Sequence, residues 1–172
     1  MELNLQRETS AVQQQLDQLP QQLQRGIERG LRRATELLRA AVSTLAQSPL
    51  GVSAPGGFGE YAGSLTTAVV DENGRPVGRV FLAPPADRYG MFVEVGTRPH
   101  FPPPGALEGW VRRRLGITGN REVREVAFLI GRKIARAGTP GRLFFERALA
   151  NNESRVVAIL EEEIGKAVRS DQ

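Results

Sequence analysis

From Val12 to Leu45 apolar residues recur every three or four positions, through Leu16, Leu23, Ile27, Leu31 and Leu38, laying one stripe along a helix. A helix of this kind is held mainly by whatever covers its stripe, so the rest of the chain must supply a matching face. Pro20 interrupts the stripe, because an interior proline removes a backbone hydrogen bond and kinks or breaks the helix. The pattern predicts a short leading helix to about Gln18, within an N-terminal extension over 1–19. A longer helix follows from about Pro20, seated in the first turn, to Gln47.

Residues 48–60 (SPLGVSAPGGFGE) carry no apolar period and read as an exposed, mobile loop. The period then shortens. Ser64 to Val70 is β-prone, Val77 to Leu82 alternates, and Asn73-Gly74 between them is the strongest short-range hairpin signal. A lone hairpin is marginal, so it must pack on the helices or pair with another strand, including one from a neighbouring subunit. Asp87 to Val95 is compatible with helix or strand and is read as a helix capped by Asp87 and stopped at Gly96. Arg98 to Pro104 is stiff and extended, since proline fixes its own φ and restrains its predecessor. Three helices complete the chain. The first, over 105–115, has Leu107, Trp110, Val111 and Leu115 on one side and closes at Gly116. The second covers 121–136, with Val123, Val126, Ala127, Ile130 and Ile134 as its stripe. The last, from about Leu143 to Val168, carries Phe145, Leu149, Val156, Ile159, Leu160 and Ile164.

The expected fold class is therefore α+β in a single domain over 1–172: a long N-terminal helix, a central β-hairpin or small antiparallel sheet, and C-terminal helices. The N- and C-terminal helices are expected to clasp the hairpin.

Composition closes many functional classes. With no cysteine, disulfides, thiolate nucleophiles and cysteine-based metal sites are excluded. The single histidine, His100, excludes a site built on two. No G-x-S-x-G elbow, P-loop or G-x-G-x-x-G is present. No cofactor, metal site or catalytic residue is expected, and the chain is read as a non-enzyme. Met1 to Glu8 is polar and mixed in charge, unlike a secretory leader, and no apolar run approaches the roughly 18 residues of a membrane span. A soluble setting without membrane contact is expected.

The net charge is +4 and the sequence pI about 10.3, a balance that favours nucleic acid or an acidic protein surface. It also fits a coding sequence rich in arginine for compositional reasons. Arg112, Arg113 and Arg114 beside Trp110, with Arg132 and Lys133, are the candidate DNA-facing residues. Arg25, Arg29, Arg32 and Arg33 form a second cluster, although interleaved Glu28, Glu36, Glu122 and Glu125 suit ordinary helix-surface pairs. Glu161-Glu162-Glu163 reads as a solvated helix face.

The most unusual stretch runs from Phe92 to Pro104: a rigid connector with a glycine turn, a candidate buried carboxylate at Glu94 and an aromatic anchor at Phe101. Stiff segments lose little entropy on binding, which suits an interface. A structural bridge under the core is the alternative, and the two are compatible. Glu94, Gly96, Thr97, Arg98, His100, Phe101, Trp110 and Phe145 are the candidate interface or structural residues.

Tyr89 to Gly116 resembles the phage tail-component family that includes siphophage neck proteins and the lambdoid tail-completion protein. The likeness is carried by Val93-Glu94-Val95-Gly96-Thr97, Arg98-Pro99-His100, the prolines at 102–104 and Trp110-Val111-Arg112-Arg113. Val95 stands where the family has an aromatic. Ala62-Gly63-Ser64-Leu65-Thr66 is similar to the family's strand opening, without its arginine and second serine. Residues 140–149 resemble its entry to the last helix.

The resemblance implies a structural subunit of the virion neck or tail, a tail-completion or head–tail joining protein assembled in the host cytoplasm. It implies a homo-oligomeric ring of six or twelve copies, with portal-side connector or adaptor proteins and the tail terminator or tail tube as neighbours. DNA would pass through the channel. The alternative reading is a basic, non-specific DNA-binding protein associated with the phage genome.

Overall fold

The computed structural model describes residues 21–47, 58–103 and 105–169. The leading helix, the 1–19 extension, loop residues 48–57 and Pro104 lie outside them. The chain is mixed helix and strand, with a long N-terminal helix, an antiparallel hairpin and C-terminal helices, in the order expected. It gathers into two compact units.

The first unit takes residues 21–44, 65–82 and 145–169. Helix α1 (Gln21–Gln47) realises the long apolar stripe, with Ala34 and Val42 buried. Strands β1 (Leu65–Glu72) and β2 (Arg75–Leu82) pair antiparallel from Leu65↔Leu82 to Glu72↔Arg75. That register leaves a two-residue turn at Asn73-Gly74, where φ is +57° and +77°. Asparagine and glycine tolerate such angles, and a turn of this hand matches the twist of the flanking strands. Asp71 Oδ1 accepts from the Gly74 N–H at 2.8 Å and secures it.

One face of the hairpin lies on α1. A Cβ on Gly78 would stand 2.7 Å from Thr35 Cγ2, and the Thr67 hydroxyl donates to Glu36 Oε1 at 2.7 Å. Helix α6 (Phe144–Arg169) crosses α1 at small residues, where a Cβ on Gly26 would come within 2.7 Å of Ala167 Cβ. Thr35, Val42, Gly78, Val80, Ala148 and Leu149 are among the residues lining a cleft of about 280 Å³ between α1, β2 and α6. Phe145 lines it too.

The second unit takes, of the described residues, 45–47, 58–64, 83–103 and 105–144. Helix α2 (Phe58–Gly63) begins inside the stretch read as loop 48–60, because Tyr61 and Ala62 are buried and hold it. Helix α3 (Asp87–Val95) ends at Gly96 as expected, but its N-cap is Ala86. Asp87 falls in the first turn and bonds only the next backbone N–H, that of Arg88, so the expected Asp87 cap is corrected. Helices α4 (Glu108–Leu115) and α5 (Asn120–Ala137) pack on Val111 and Val123, both fully buried. Full burial of side chains this size contributes roughly 1.5–3 kcal/mol each. Gly116, left-handed at φ +68°, stops α4 and returns its N–H to the Arg112 carbonyl at 3.1 Å.

Candidate interface around residues 92–103

Gly96 and Thr97 form strand β3, paired antiparallel with β4 (Thr139–Pro140) in the register Gly96↔Pro140 and Thr97↔Thr139. The two backbones meet closely. At φ +81°, a Cβ on Gly96 would collide with the Thr139 carbonyl oxygen, and one on Gly138 (φ +68°) with that of Thr97. Only glycine has both the conformation and the missing side chain that this seam requires. The Thr97 and Thr139 hydroxyls bond at 2.8 Å, and Thr97 Oγ1 also accepts the Thr139 N–H at 3.1 Å. Just before the seam, Arg142 and Leu143 donate backbone N–H groups to the Val93 and Glu94 carbonyls at 2.9 and 3.2 Å. The motif residues 93–97 are therefore locked to 138–143 mainly through backbone.

Glu94 is half-buried, and its Oε1 accepts from the Tyr61 hydroxyl at 2.8 Å. Burial, then the bond to this carboxylate, push the Tyr61 hydroxyl far above its ordinary pKa. The Tyr61 ring meets Phe144 edge-on at 5.8 Å and Tyr89 at 6.5 Å. Burial and the nearby Glu60 charge raise Tyr89 in the same direction. These aromatics make a closed cluster beneath the segment.

Beyond Thr97 the chain turns outward. Arg98, His100 and Phe101 are exposed. His100 Nδ1 bonds the Arg98 carbonyl at 2.9 Å, and the His100 N–H reaches the Ile134 carbonyl at 3.4 Å, tying the segment to α5. Phe101, 51 % exposed, lies against Phe128 with ring centroids 5.9 Å apart. Phe101, Pro102, Leu107, Ala127, Phe128 and Gly131 help to line an apolar groove of about 450 Å³. Trp110 is partly exposed on α4.

The structure distributes the basic candidates unevenly. Arg112 is turned into the α4–α5 connection, donating to the Thr118 carbonyl at 2.9 Å and to Asn120 Oδ1 at 2.7 Å. Arg113, Arg114, Arg132 and Lys133 are exposed. Arg39 and Arg121 form the expected helix-surface pairs, with Glu36 and Glu125. Arg29 and Arg33 are exposed but pair with another helix, not along their own. They reach across to α6, Arg29 Nε to Glu163 at 3.2 Å and Arg33 Nη1 to Glu162 at 3.0 Å and Glu163 at 2.5 Å.

Glu163 is thus corrected from a solvated residue to a buried one, 5 % exposed. Lys166, Arg33 and Arg29 hold its carboxyl well below the usual range, at about 2. Sequence reasoning missed it because its interhelical partners lie 130 or more positions away.

Among the described residues no group of three or more histidines, cysteines or carboxylates is placed to hold a metal ion, and no helix is long and apolar enough to cross a membrane. What the 92–103 region offers is a rigid base carrying exposed aromatic and basic side chains. Comparison of the chain with protein-family models, curated proteins and solved structures found no match.

Proposed function

We propose that this chain is a neck, tail-completion or head–tail joining subunit of a tailed-phage particle, acting by assembly and not by catalysis. The observation that carries the reading is the segment from Val93 to Phe101. Its Val-Glu-Val-Gly-Thr half is sewn to residues 138–143, and its Arg-Pro-His-Phe half stands in solvent beside an apolar groove. A short stretch with one half immobilised and the other displayed suits a contact surface, because the displayed side chains have little backbone entropy left to lose. Homo-oligomer contacts, portal-side connector proteins and the tail terminator or tube are the partners this reading assigns. The test is electron microscopy of a lysate from a phage lacking the gene. Separate DNA-filled heads and finished tails are expected, and normally joined particles would remove the assignment.

The second reading, a non-specific DNA-associated protein, is favoured by charge. Residues 108–137 hold eight basic residues against three acidic ones, so this stretch carries +5 while the remainder sums to −1. Among the described residues Arg113, Arg132, Lys133 and Arg136 pair with no carboxylate. Phosphate-driven binding collapses steeply between about 50 and 200 mM salt. Retention of DNA across that range would remove a purely electrostatic role.

A further inference from the structure

Helix α3 is apolar on both sides. Ala86, Gly90 and Val93 recur at helical spacing and are buried, while Met91, Phe92 and Val95 are 67, 58 and 63 % exposed. Asp87, Arg88 and Glu94 are the helix's charged residues, and the exposed apolar side between them is a face of the kind a partner covers. The same unit holds the Phe101–Phe128 groove, whose rim Phe128 and neighbouring Leu129 are 55 and 60 % exposed. One molecule thus offers a convex apolar ridge and a concave apolar groove.

We infer that the α3 ridge of one copy, Met91, Phe92 and Val95, seats in the Phe101–Phe128 groove of a second copy, as a head-to-tail contact. Area is the first argument. A fully buried aromatic side chain covers roughly 150–250 Å². Six side chains more than half exposed, three on the ridge of one copy and Phe101, Phe128 and the adjacent Leu129 of the other, then offer on the order of 600–800 Å² over both faces together. The two faces match in size, about half of that each, and together they make a small contact, about half the ~1,600 Å² total of a standard interface, which gains by repetition from copy to copy. The charges flanking the two surfaces are the second argument. Asp87 and Arg88 flank the ridge, while Arg124 and Glu108 line the groove, and none of the four forms an ion pair among the described residues. One acid and one base on each side can pair across the contact, which fixes orientation more than it adds affinity. A contact between two different patches repeats from copy to copy and closes into a ring when the rotation allows. The inference deepens the assembly reading by naming the contact and stands on the exposed surfaces alone.

The natural absence of cysteine makes the test direct. Full-length Val95→Cys and Ala127→Cys variants are mixed with a short bismaleimide linker. A covalent dimer that needs both variants is expected, with a ladder of higher multimers from the double variant. Phe92→Glu should abolish dimer and ladder without moving the melting temperature, since Phe92 is largely in solvent. Two results overturn the proposal. Linkage by Val95→Cys alone as efficient as in the mixture would mean that the ridge meets its own copy. No linkage from chains that melt like the wild type would mean that something other than a copy covers the face. Particle microscopy is independent: ladders with normally joined particles would keep the contact and discard the neck role.

Discussion

The hydroxyl of Tyr61 donates to Glu94 Oε1 at 2.8 Å, linking the short helix before the hairpin to the helix after it. The bond spans 33 residues and ends on a half-buried carboxylate. Removing a partner from such a group costs about 1–3 kcal/mol. Tyr61→Phe should therefore lower stability by about that amount, read from urea unfolding followed through the single tryptophan, Trp110. An unmoved midpoint would mean that Glu94 is held by other contacts.

Gly96 makes a sharper case. Alanine there would meet the Thr139 carbonyl in a left-handed backbone, so Gly96→Ala should cost more than about 1 kcal/mol. Gly63 is the control, with nothing within 4 Å of its would-be Cβ; Gly63→Ala should stay within about 0.5 kcal/mol of wild type. Equal melting temperatures for the two variants would discard the seam.

Acid should loosen the α1–α6 crossing. Lys166, Arg33 and Arg29 depress Glu163 from 4.5 to about 2. Its stabilising contribution is whole above the unfolded-state value near 4.5 and fades as pH falls from there through about 2. Glu162 is depressed in the same direction by Lys166 and Arg33 and adds to the slope. Thermal melts between pH 6 and pH 2 should show a loss that Glu163→Gln flattens. A mutant curve parallel to wild type over that window would contradict the pairing.

Phe101→Ala should separate assembly from folding. Phe101 is half exposed and touches Phe128 at the groove, so its loss should weaken self-association in sedimentation more than it lowers the melting temperature. Equal losses in both would make Phe101 an ordinary core residue.

The parts of this molecule legible in sequence are those decided by neighbours along the chain. Asn73-Gly74 announces its turn because two consecutive positive φ angles admit few other residues, and Gly96 and Gly116 end the helices before them for a similar reason. Glu94 and Phe101 stand out in the sequence as a candidate buried carboxylate and an aromatic anchor; in the fold Glu94 is half-buried against Tyr61, and Phe101 is half exposed against Phe128. Glu163 is illegible because a helical period shows which residues share a face, not which face lies opposite. The same limit hides the ridge. Met91 and Phe92 look like core residues in a window of nine, and only the placement of Ala86, Gly90 and Val93 shows which side of α3 is already filled. The seam depends on Gly138, 42 positions after Gly96, whose Gly138-Thr-Pro-Gly141 context reads locally as no more than a chain break.

The close approach of Gly26 to Ala167 brings the first turns of α1 beside the last turn of α6. A fluorescent label placed on the first turn of α1 or the last turn of α6 would thus sit on the same side of this unit. One crowded label position would then imply that the other is crowded too, and a short peptide joining α6 to α1 would give a natural starting point for circular permutants opened at the hairpin turn.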